Sequence, residues 1–157
     1  MTPADLPAVL AIQQSCYPPS MNETEATIRD RLACAPGFAW IALLNENPAA
    51  YLMTYPSKTG KVTPLGGAFD IPQAPDCLYV HDLAVSPTAG GNGLGAALVR
   101  HALGSSRWPA AALVCVQDAR QFWLQQGFAD LAPLDTEQAA HLATYPGTAR
   151  YMLRRPG

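Results

Sequence analysis

The N-terminal part of the chain carries two helical patterns of apolar positions, separated by a proline-rich break. Residues 2–5 have the form of a capping box with a proline in the first turn, and apolar positions on one face then predict a helix to about Ser15. Residues 17–20 break this helix. A second capping signal begins at residue 22 and predicts another helix that ends at Pro36-Gly37.

The middle of the chain shows strand patterns. Residues 38–44 and 49–55 are apolar runs with aromatic residues around Asn45-Glu46-Asn47-Pro48, which predicts an antiparallel hairpin with a four-residue turn. Residues 57–76 are rich in proline and glycine and too long for a plain connection in a compact domain. We expect irregular strand pieces or a functional loop there.

The C-terminal half alternates between strand and helix patterns. It predicts strands at 78–85 and 111–116, helices at 92–103 and 119–126, and closing strands at 128–131 and 150–153, while 139–145 is ambiguous. There is no internal repeat and no linker. The pattern predicts one α/β (α+β) domain over residues 1–157.

Composition narrows the possible functions. The chain has 157 residues, and its 49% hydrophobic content is enough for a folded core. The formal net charge is only −2, and the 10 Lys and Arg residues form no long run. We therefore expect no nucleic-acid partner and no membrane-surface partner.

The cysteines and histidines do not form a metal or disulfide pattern. The four cysteines contain no CxxC pair and have no zinc-like spacing with the three histidines. The first residues lack the basic segment of a signal peptide, and no apolar run approaches the roughly 20 residues that span a bilayer. These features predict a soluble, cytoplasmic protein without a bound metal.

The most informative stretch follows the predicted strand at 78–85. Residues 90–95 include four glycines and lead directly into a predicted helix. Unpaired backbone N–H groups and the positive helix dipole make such a site suitable for a phosphate group. A tight connection without ligand is the alternative. The segment lacks the Lys of a Walker loop, and it lies too far behind the strand for a good dinucleotide fingerprint.

Two sequence blocks resemble one enzyme family. The block Leu83-Ala84-Val85-Ser86-Pro87 followed by GNGLGA at 91–96 resembles the acetyl-CoA signature of the GCN5-related N-acetyltransferase (GNAT) family. The stretch VQDARQFWLQQGF at 116–128 is similar to the family's later helix. The order of elements before these blocks also fits. The resemblance implies a mixed, mostly antiparallel central sheet with splayed strands, flanked by helices.

The resemblance also implies acetyl-CoA as cosubstrate. Main-chain groups of the splayed strand would pair with the pantetheine arm, and the glycine loop would hold the pyrophosphate. Two aromatic residues of the later helix would pack around the arm, with packing in the core as the alternative. The implied CoA-binding residues are Leu83, Ala84, Val85, Gly90, Gly91, Asn92, Gly93, Leu94, Gly95, Ala96, Phe122 and Trp123. Gly90 departs from the family pattern, which commonly has Arg or Gln at that position.

Candidate catalytic residues lie on the strand before the glycine loop. Strand alternation places Tyr79 and His81 on one face and Asp82 on the other. His81 is the candidate base, because imidazole titrates near neutrality and the strand is similar to that of arylalkylamine N-acetyltransferases. A structural histidine is the alternative. Tyr79 would shape the pocket or hold a water, and Asp82 would orient His81 or cap a backbone group.

The general acid has no direct counterpart in this sequence. The family's usual tyrosine position holds Trp123, whose indole N–H does not ionise usefully. Either the CoA thiolate leaves unaided, or Tyr145 or Tyr151 supplies the proton.

The acceptor is the least determined part. The resemblance places it under residues 16–22, where Tyr17, Pro18, Met21 and also Tyr55 would form an apolar mouth for a primary amine with an apolar body. The same residues could instead simply pack the loop. A protein acetyltransferase and a non-catalytic CoA sensor are the alternative functions. The protein would act as a monomer or homodimer.

Overall fold

A computed structural model describes all residues 1–157 and contains five α-helices and six β-strands. The helices are α1 (Leu6–Cys16), α2 (Glu25–Cys34), α3 (Leu94–Ser105), α4 (Arg120–Gln125) and α5 (Thr136–Leu142). The strands are β1 (Ala39–Leu44), β2 (Asn47–Ser57), β3 (Cys77–Val85), β4 (Ala110–Cys115), β5 (Ala129–Asp130) and β6 (Arg150–Arg154).

The strands form one mixed sheet with the order β1-β2-β3-β4-β6-β5. Strands β3 and β4 pair in parallel, because α3 carries the chain back between them. The pairs β1/β2, β4/β6 and β5/β6 are antiparallel. The α/β fold class and the mostly antiparallel sheet predicted from the sequence are confirmed.

The chain divides into two compact units, each made of two stretches. The first unit comprises residues 1–54 and 82–104. Its core joins α1 and α2 to the sheet: Leu6 and Val9 are fully buried, and Ile28, Met53 and Ala84 pack in the same cluster. Burial of this helical face is what holds the two N-terminal helices in place.

The second unit comprises residues 55–81 and 105–157. Strand β4 runs through its centre, with Leu113 beside Val80 of β3 and Met152 of β6. All three side chains are buried, as is Phe128 after α4. Strand β4 has a neighbouring strand on each side, which explains its almost uninterrupted apolar sequence.

Three local predictions are corrected. The hairpin turn contains two residues rather than four, because Asn45 and Glu46 adopt φ values of 50° and 65°, as a tight hairpin turn requires. Residues 58–76 contain no strand pieces; β2 instead continues to Ser57. The ambiguous stretch at 139–145 belongs mainly to α5, which starts earlier because the Asp135 side chain accepts a hydrogen bond from the Gln138 N–H.

No helix is both long enough and apolar enough to cross a membrane. The structure also brings together no group of three or more His, Cys, Asp or Glu side chains that could hold a metal ion.

Candidate active site

The glycine loop (residues 90–96) lies in the first unit. Helix α3 starts at Leu94, two residues later than predicted, because Gly91 and Gly93 adopt φ values of 79° and 71°. The Ala97 N–H donates to the Gly93 carbonyl oxygen at 3.0 Å. The N–H groups just before Ala97 have no acceptor within the helix, as at any helix start.

The space beside this loop is open. A Cβ atom built on Gly91 or Gly93 would find no heavy atom within 4 Å. The Asn92 side chain donates a hydrogen bond to the Ala89 carbonyl oxygen at 3.0 Å. This bond within the loop stabilises its conformation. Open space, backbone donors and the N-terminus of a 12-residue helix fit an anionic phosphate group.

Two main-chain carbonyl oxygens of strand β3, next to the loop, accept hydrogen bonds from side chains of the same unit. The Leu83 carbonyl oxygen accepts a hydrogen bond from the Tyr17 hydroxyl at 2.8 Å, and the Val85 carbonyl oxygen accepts one from Cys16 Sγ at 3.1 Å. Ala84 between them is buried in the core. Main-chain groups of this strand are the predicted partners of the pantetheine arm, and two of its carbonyl oxygens already accept hydrogen bonds from side chains.

Asp82 is bound by two tyrosines. One carboxylate oxygen accepts from the Tyr17 hydroxyl at 2.7 Å and the other from the Tyr51 hydroxyl at 2.6 Å. The sequence suggested that Asp82 would orient His81 or cap the backbone, and these tyrosine contacts were not foreseen. Tyr51 was missed altogether, because no local pattern shows which residue of β2 lies near Asp82.

These contacts change the acidity of both phenols. Burial raises the pKa of Tyr17 and of Tyr51 well above the usual value, and the negative charge of Asp82 raises both further. Both hydroxyls therefore stay protonated in the folded protein and act as hydrogen-bond donors to the carboxylate.

A Tyr17→Phe variant tests this assignment through the pH dependence of stability. In the unfolded chain Tyr17 ionises near pH 10, whereas in the folded protein its raised pKa keeps the proton. Stability therefore falls as the pH rises above about 10, by about 1.4 kcal/mol per pH unit for each such tyrosine. In urea unfolding, the wild type should therefore lose about 1.4 kcal/mol more stability in total than the variant between pH 9 and pH 11. Equal slopes would contradict the assignment.

The second unit holds an aromatic cluster made of Tyr55, Phe69, Tyr79 and His81. Tyr55 stacks on Phe69 at 4.1 Å between ring centroids and lies 5.1 Å from Tyr79. His81 meets the edge of Phe69 at 5.1 Å and lies 6.4 Å from Tyr79. The cluster fixes the imidazole between two rings.

Burial differs among the members of the cluster. Tyr55 is 0% exposed and Tyr79 is 1% exposed, whereas His81 is half-buried. Burial raises the pKa of Tyr79 well above the usual value, with smaller effects from Tyr145 and Tyr55. The Tyr79 hydroxyl therefore stays protonated, and the residue contributes an uncharged ring to the cluster. The structure corrects the expectation for Tyr55, because its ring is enclosed in the cluster and does not form an open mouth.

The two alternative acids contact the loop after β2. The Tyr145 hydroxyl donates to the Thr63 carbonyl oxygen at 2.7 Å, and the Tyr151 hydroxyl accepts from the Gly60 N–H at 2.8 Å. Burial is also the main cause that raises the pKa of Tyr151. Both hydroxyls hold the main chain in place, which gives them a structural role.

The aromatic pair of the later helix lies in the second unit. Trp123 is 7% exposed and packs edge-to-face against Phe122 at 4.9 Å and Phe128 at 5.4 Å. Phe122 is half-buried. Core packing accounts for Trp123, and a contact with the CoA arm stays a prediction.

The predicted acceptor loop (residues 16–22) lies in the first unit. Pro18 is exposed, Met21 is half-buried, and the loop contains a short turn at Pro19–Met21. The Gln13 side chain bonds both the N–H and the carbonyl oxygen of Glu23, each at 2.9 Å. The loop is thus tied to α1 at its far end and to Asp82 through Tyr17.

The sequence matches the model of one known protein family. The family model for the acetyltransferase (GNAT) family matches residues 6–128. Among curated proteins, none matches the sequence significantly.

Solved structures share the fold at low sequence identity. The GphF GNAT-like decarboxylase in complex with isobutyryl-CoA has 16% identity and a TM-score of 0.79, over 99% of this chain and 96% of that chain. Ard1 from Thermoplasma volcanium has 18% identity and a TM-score of 0.72, over 100% and 95%. The ribosomal-protein-S18-alanine N-acetyltransferase from Escherichia coli has 18% identity and a TM-score of 0.66, over 98% and 89%.

These similarities establish the fold, and the family match covers both α1 and the glycine loop as well as the later helix α4. With most of its length matched in this way, the chain belongs to the acetyltransferase (GNAT) family.

Proposed function

We propose that this protein is an N-acetyltransferase that transfers the acetyl group of acetyl-CoA to a small primary amine with an apolar body. The main support for this proposal is the open glycine loop at the start of α3. Gly91 and Gly93 leave space there for a diphosphate against the main chain. Direct attack in a ternary complex needs no covalent enzyme intermediate.

Residues of the first unit would bind the coenzyme. The loop N–H groups from Gly91 to Ala96 donate to the pyrophosphate, and α3 adds its positive dipole end. The carbonyl oxygens of Leu83 and Val85 already accept side-chain hydrogen bonds. The pantetheine arm would therefore pair with the N–H groups of this strand, beside Ala84.

His81 would take up the proton that the amine must lose. Through a water molecule it accepts a proton from the bound ammonium, and the amine nitrogen then forms a bond to the acetyl carbon. The carbon–sulfur bond breaks and the CoA thiolate leaves. The extra proton on the acetylated nitrogen passes to this thiolate or to solvent, which gives the neutral amide. A free thiol has a pKa near 8.5, so the thiolate can leave without an acid in the position of Trp123.

An amine acceptor suits the chemistry of the acceptor loop. Tyr17, Pro18 and Met21 supply apolar surface. Asn22 in the same loop has a buried side-chain oxygen without a hydrogen-bond partner. A buried acceptor atom without a donor is costly, and an ammonium or amine N–H would satisfy it.

Turnover with an amine panel tests this proposal. Acetyl-CoA should raise the melting temperature, and thiol release should depend on a small arylalkylamine or alkylamine. A peptide arm is included because the similar structures include Arabidopsis thaliana Naa50 in complex with the bisubstrate analogue CoA-Ac-MVNAL. Turnover with peptides alone would favour a protein substrate. Binding of acetyl-CoA without turnover on any amine would favour a CoA sensor.

A Gly93→Ala variant tests the coenzyme site separately. Its φ of 71° strains any residue with a side chain by about 1–2 kcal/mol, and the new methyl group enters the open space of the loop. We expect acetyl-CoA to bind about 10- to 100-fold more weakly in isothermal titration calorimetry.

Gly37→Ala is the matched control. Gly37 has a φ of 81° and equally open surroundings, but it lies between α2 and β1. The two variants should lose similar stability, and only Gly93→Ala should lose affinity. If both bind acetyl-CoA like the wild type, the glycine loop is not the coenzyme site.

A further inference from the structure

The second unit contains an open cavity of about 620 Å³, lined by residues of β5, of β6 and of the segment between them. Its apolar wall includes Leu131, Leu134, Leu142 and the rings of Tyr145 and Tyr151. None of the residues predicted to bind CoA or the acceptor lines it. The volume is within the range of small-molecule sites, about 300–1,000 Å³.

Hydrogen bonds to the loop after β2 hold this wall in place. Gln138 and Thr144 accept from the main-chain N–H groups of Val62 and Leu65, at 2.7 and 2.9 Å. The Nδ1 atom of His141 lies 3.0 Å from the Val62 carbonyl oxygen. The hydroxyls of Tyr145 and Tyr151 bind the same loop. The cavity is therefore preformed, with the polar tips of its tyrosines already satisfied.

One edge of the cavity is charged, with Asp130 and Arg150 among the lining residues. Arg120 binds the Asp130 carboxylate through two nitrogens, with contacts of 3.1 and 2.8 Å. The nearest Arg150 nitrogen is 3.9 Å from Asp130, which is too far for a hydrogen bond, and the side chain is 49% exposed. The charges of Arg120, Asp130 and Arg150 sum to +1. The guanidinium of Arg150 therefore has N–H donors that can bind a ligand in the cavity.

We propose that this cavity is a binding site for a small monocarboxylate with an apolar body. The apolar body fills the space lined by the leucines and tyrosine rings, and the carboxylate pairs with the Arg150 guanidinium, whose fork geometry suits it. The proposal does not rest on the coenzyme and acceptor sites, because no residue of the glycine loop or the acceptor loop lines the cavity.

Calorimetric titration of the full chain with hydrocinnamate and with hydrocinnamamide tests the site. The two probes share one skeleton and differ in charge. Hydrocinnamate should bind, and the amide should bind about tenfold more weakly or not at all. Arg150→Met keeps the apolar stem and removes the cation. It should therefore lower the affinity for hydrocinnamate by about tenfold or more.

Two further variants complete the experiment. Arg155→Met removes an exposed cation that does not line the cavity and should leave binding unchanged. Leu142→Trp fills the cavity and should abolish binding while circular dichroism shows a folded chain. Absence of hydrocinnamate binding, equal binding of the amide, or unchanged binding in Arg150→Met would each overturn the proposal.

Discussion

Replacing His81 by alanine should lower the turnover number by about 10²- to 10⁴-fold while the affinity for acetyl-CoA stays unchanged. This is the usual contribution of a positioned proton acceptor. The imidazole is half-buried and its ring contacts Phe69 at 5.1 Å, so its position is set by packing. Thiol release with the best amine of the panel gives the turnover number, and calorimetry gives the affinity.

His101→Ala is the matched control. His101 is exposed on α3, with its ring edge-on to Trp40 at 5.5 Å. The control should keep wild-type turnover. His81→Gln, which retains hydrogen bonding without the imidazole, should be as slow as His81→Ala. If His81→Ala keeps more than about half of the activity, the proton must be taken by another group, and His81 has the structural role considered above.

The elements that the sequence predicted best are those with local signals. The capping signal predicted from residue 22 onward is found at Thr24, whose side chain accepts from the Thr27 N–H at the start of α2. The positive φ values of Gly91 and Gly93 shape the loop before α3. Such features depend on residues within a few positions of each other. Such local features can therefore be predicted from the sequence without knowledge of the fold.

The parts that the sequence did not predict depend on contacts between distant residues. Asp82 meets Tyr17 and Tyr51, which are 65 and 31 positions away in the chain. The enclosure of Tyr55 depends on Phe69, which lies in a loop without regular secondary structure. Strand alternation indicates which face a side chain takes, but it does not identify the neighbour across the sheet.

For the same reason, the coenzyme site can be predicted from the sequence more fully than the acceptor site. The glycine loop is one continuous segment whose main chain supplies the donors, so its residues could be predicted from a single motif. The acceptor loop owes its shape to Gln13, Glu23 and Asp82, which no motif connects. This difference explains why the acceptor is the less determined substrate.

A second large effect should follow from replacing Arg31 by methionine. The Arg31 side chain is 1% exposed and pairs with the Glu23 carboxylate, which is 9% exposed. Removing one partner of a buried ion pair costs about 3–5 kcal/mol, because the remaining charge loses the partner that compensates its burial. Urea unfolding at neutral pH measures the loss.

Arg29→Met provides a matched control on the same helix. Arg29 pairs with Glu25 at 2.5 Å, but both side chains are about half exposed, and such a pair contributes only about 0.3–0.5 kcal/mol. The double variant Glu23→Gln, Arg31→Met removes both charges and should recover part of the stability lost in Arg31→Met. Similar stability of Arg31→Met and Arg29→Met would contradict the importance of burial.

The position of this ion pair also gives it an expected effect on the reaction. Glu23 directly follows the acceptor loop and is bound through its main chain by Gln13, so loss of the pair loosens the loop without touching the glycine loop. At a temperature where Arg31→Met is still folded, the KM for the amine should therefore rise while acetyl-CoA binds as before. A matching loss of acetyl-CoA affinity would instead mean that the ion pair supports the whole first unit, because the glycine loop belongs to that unit as well.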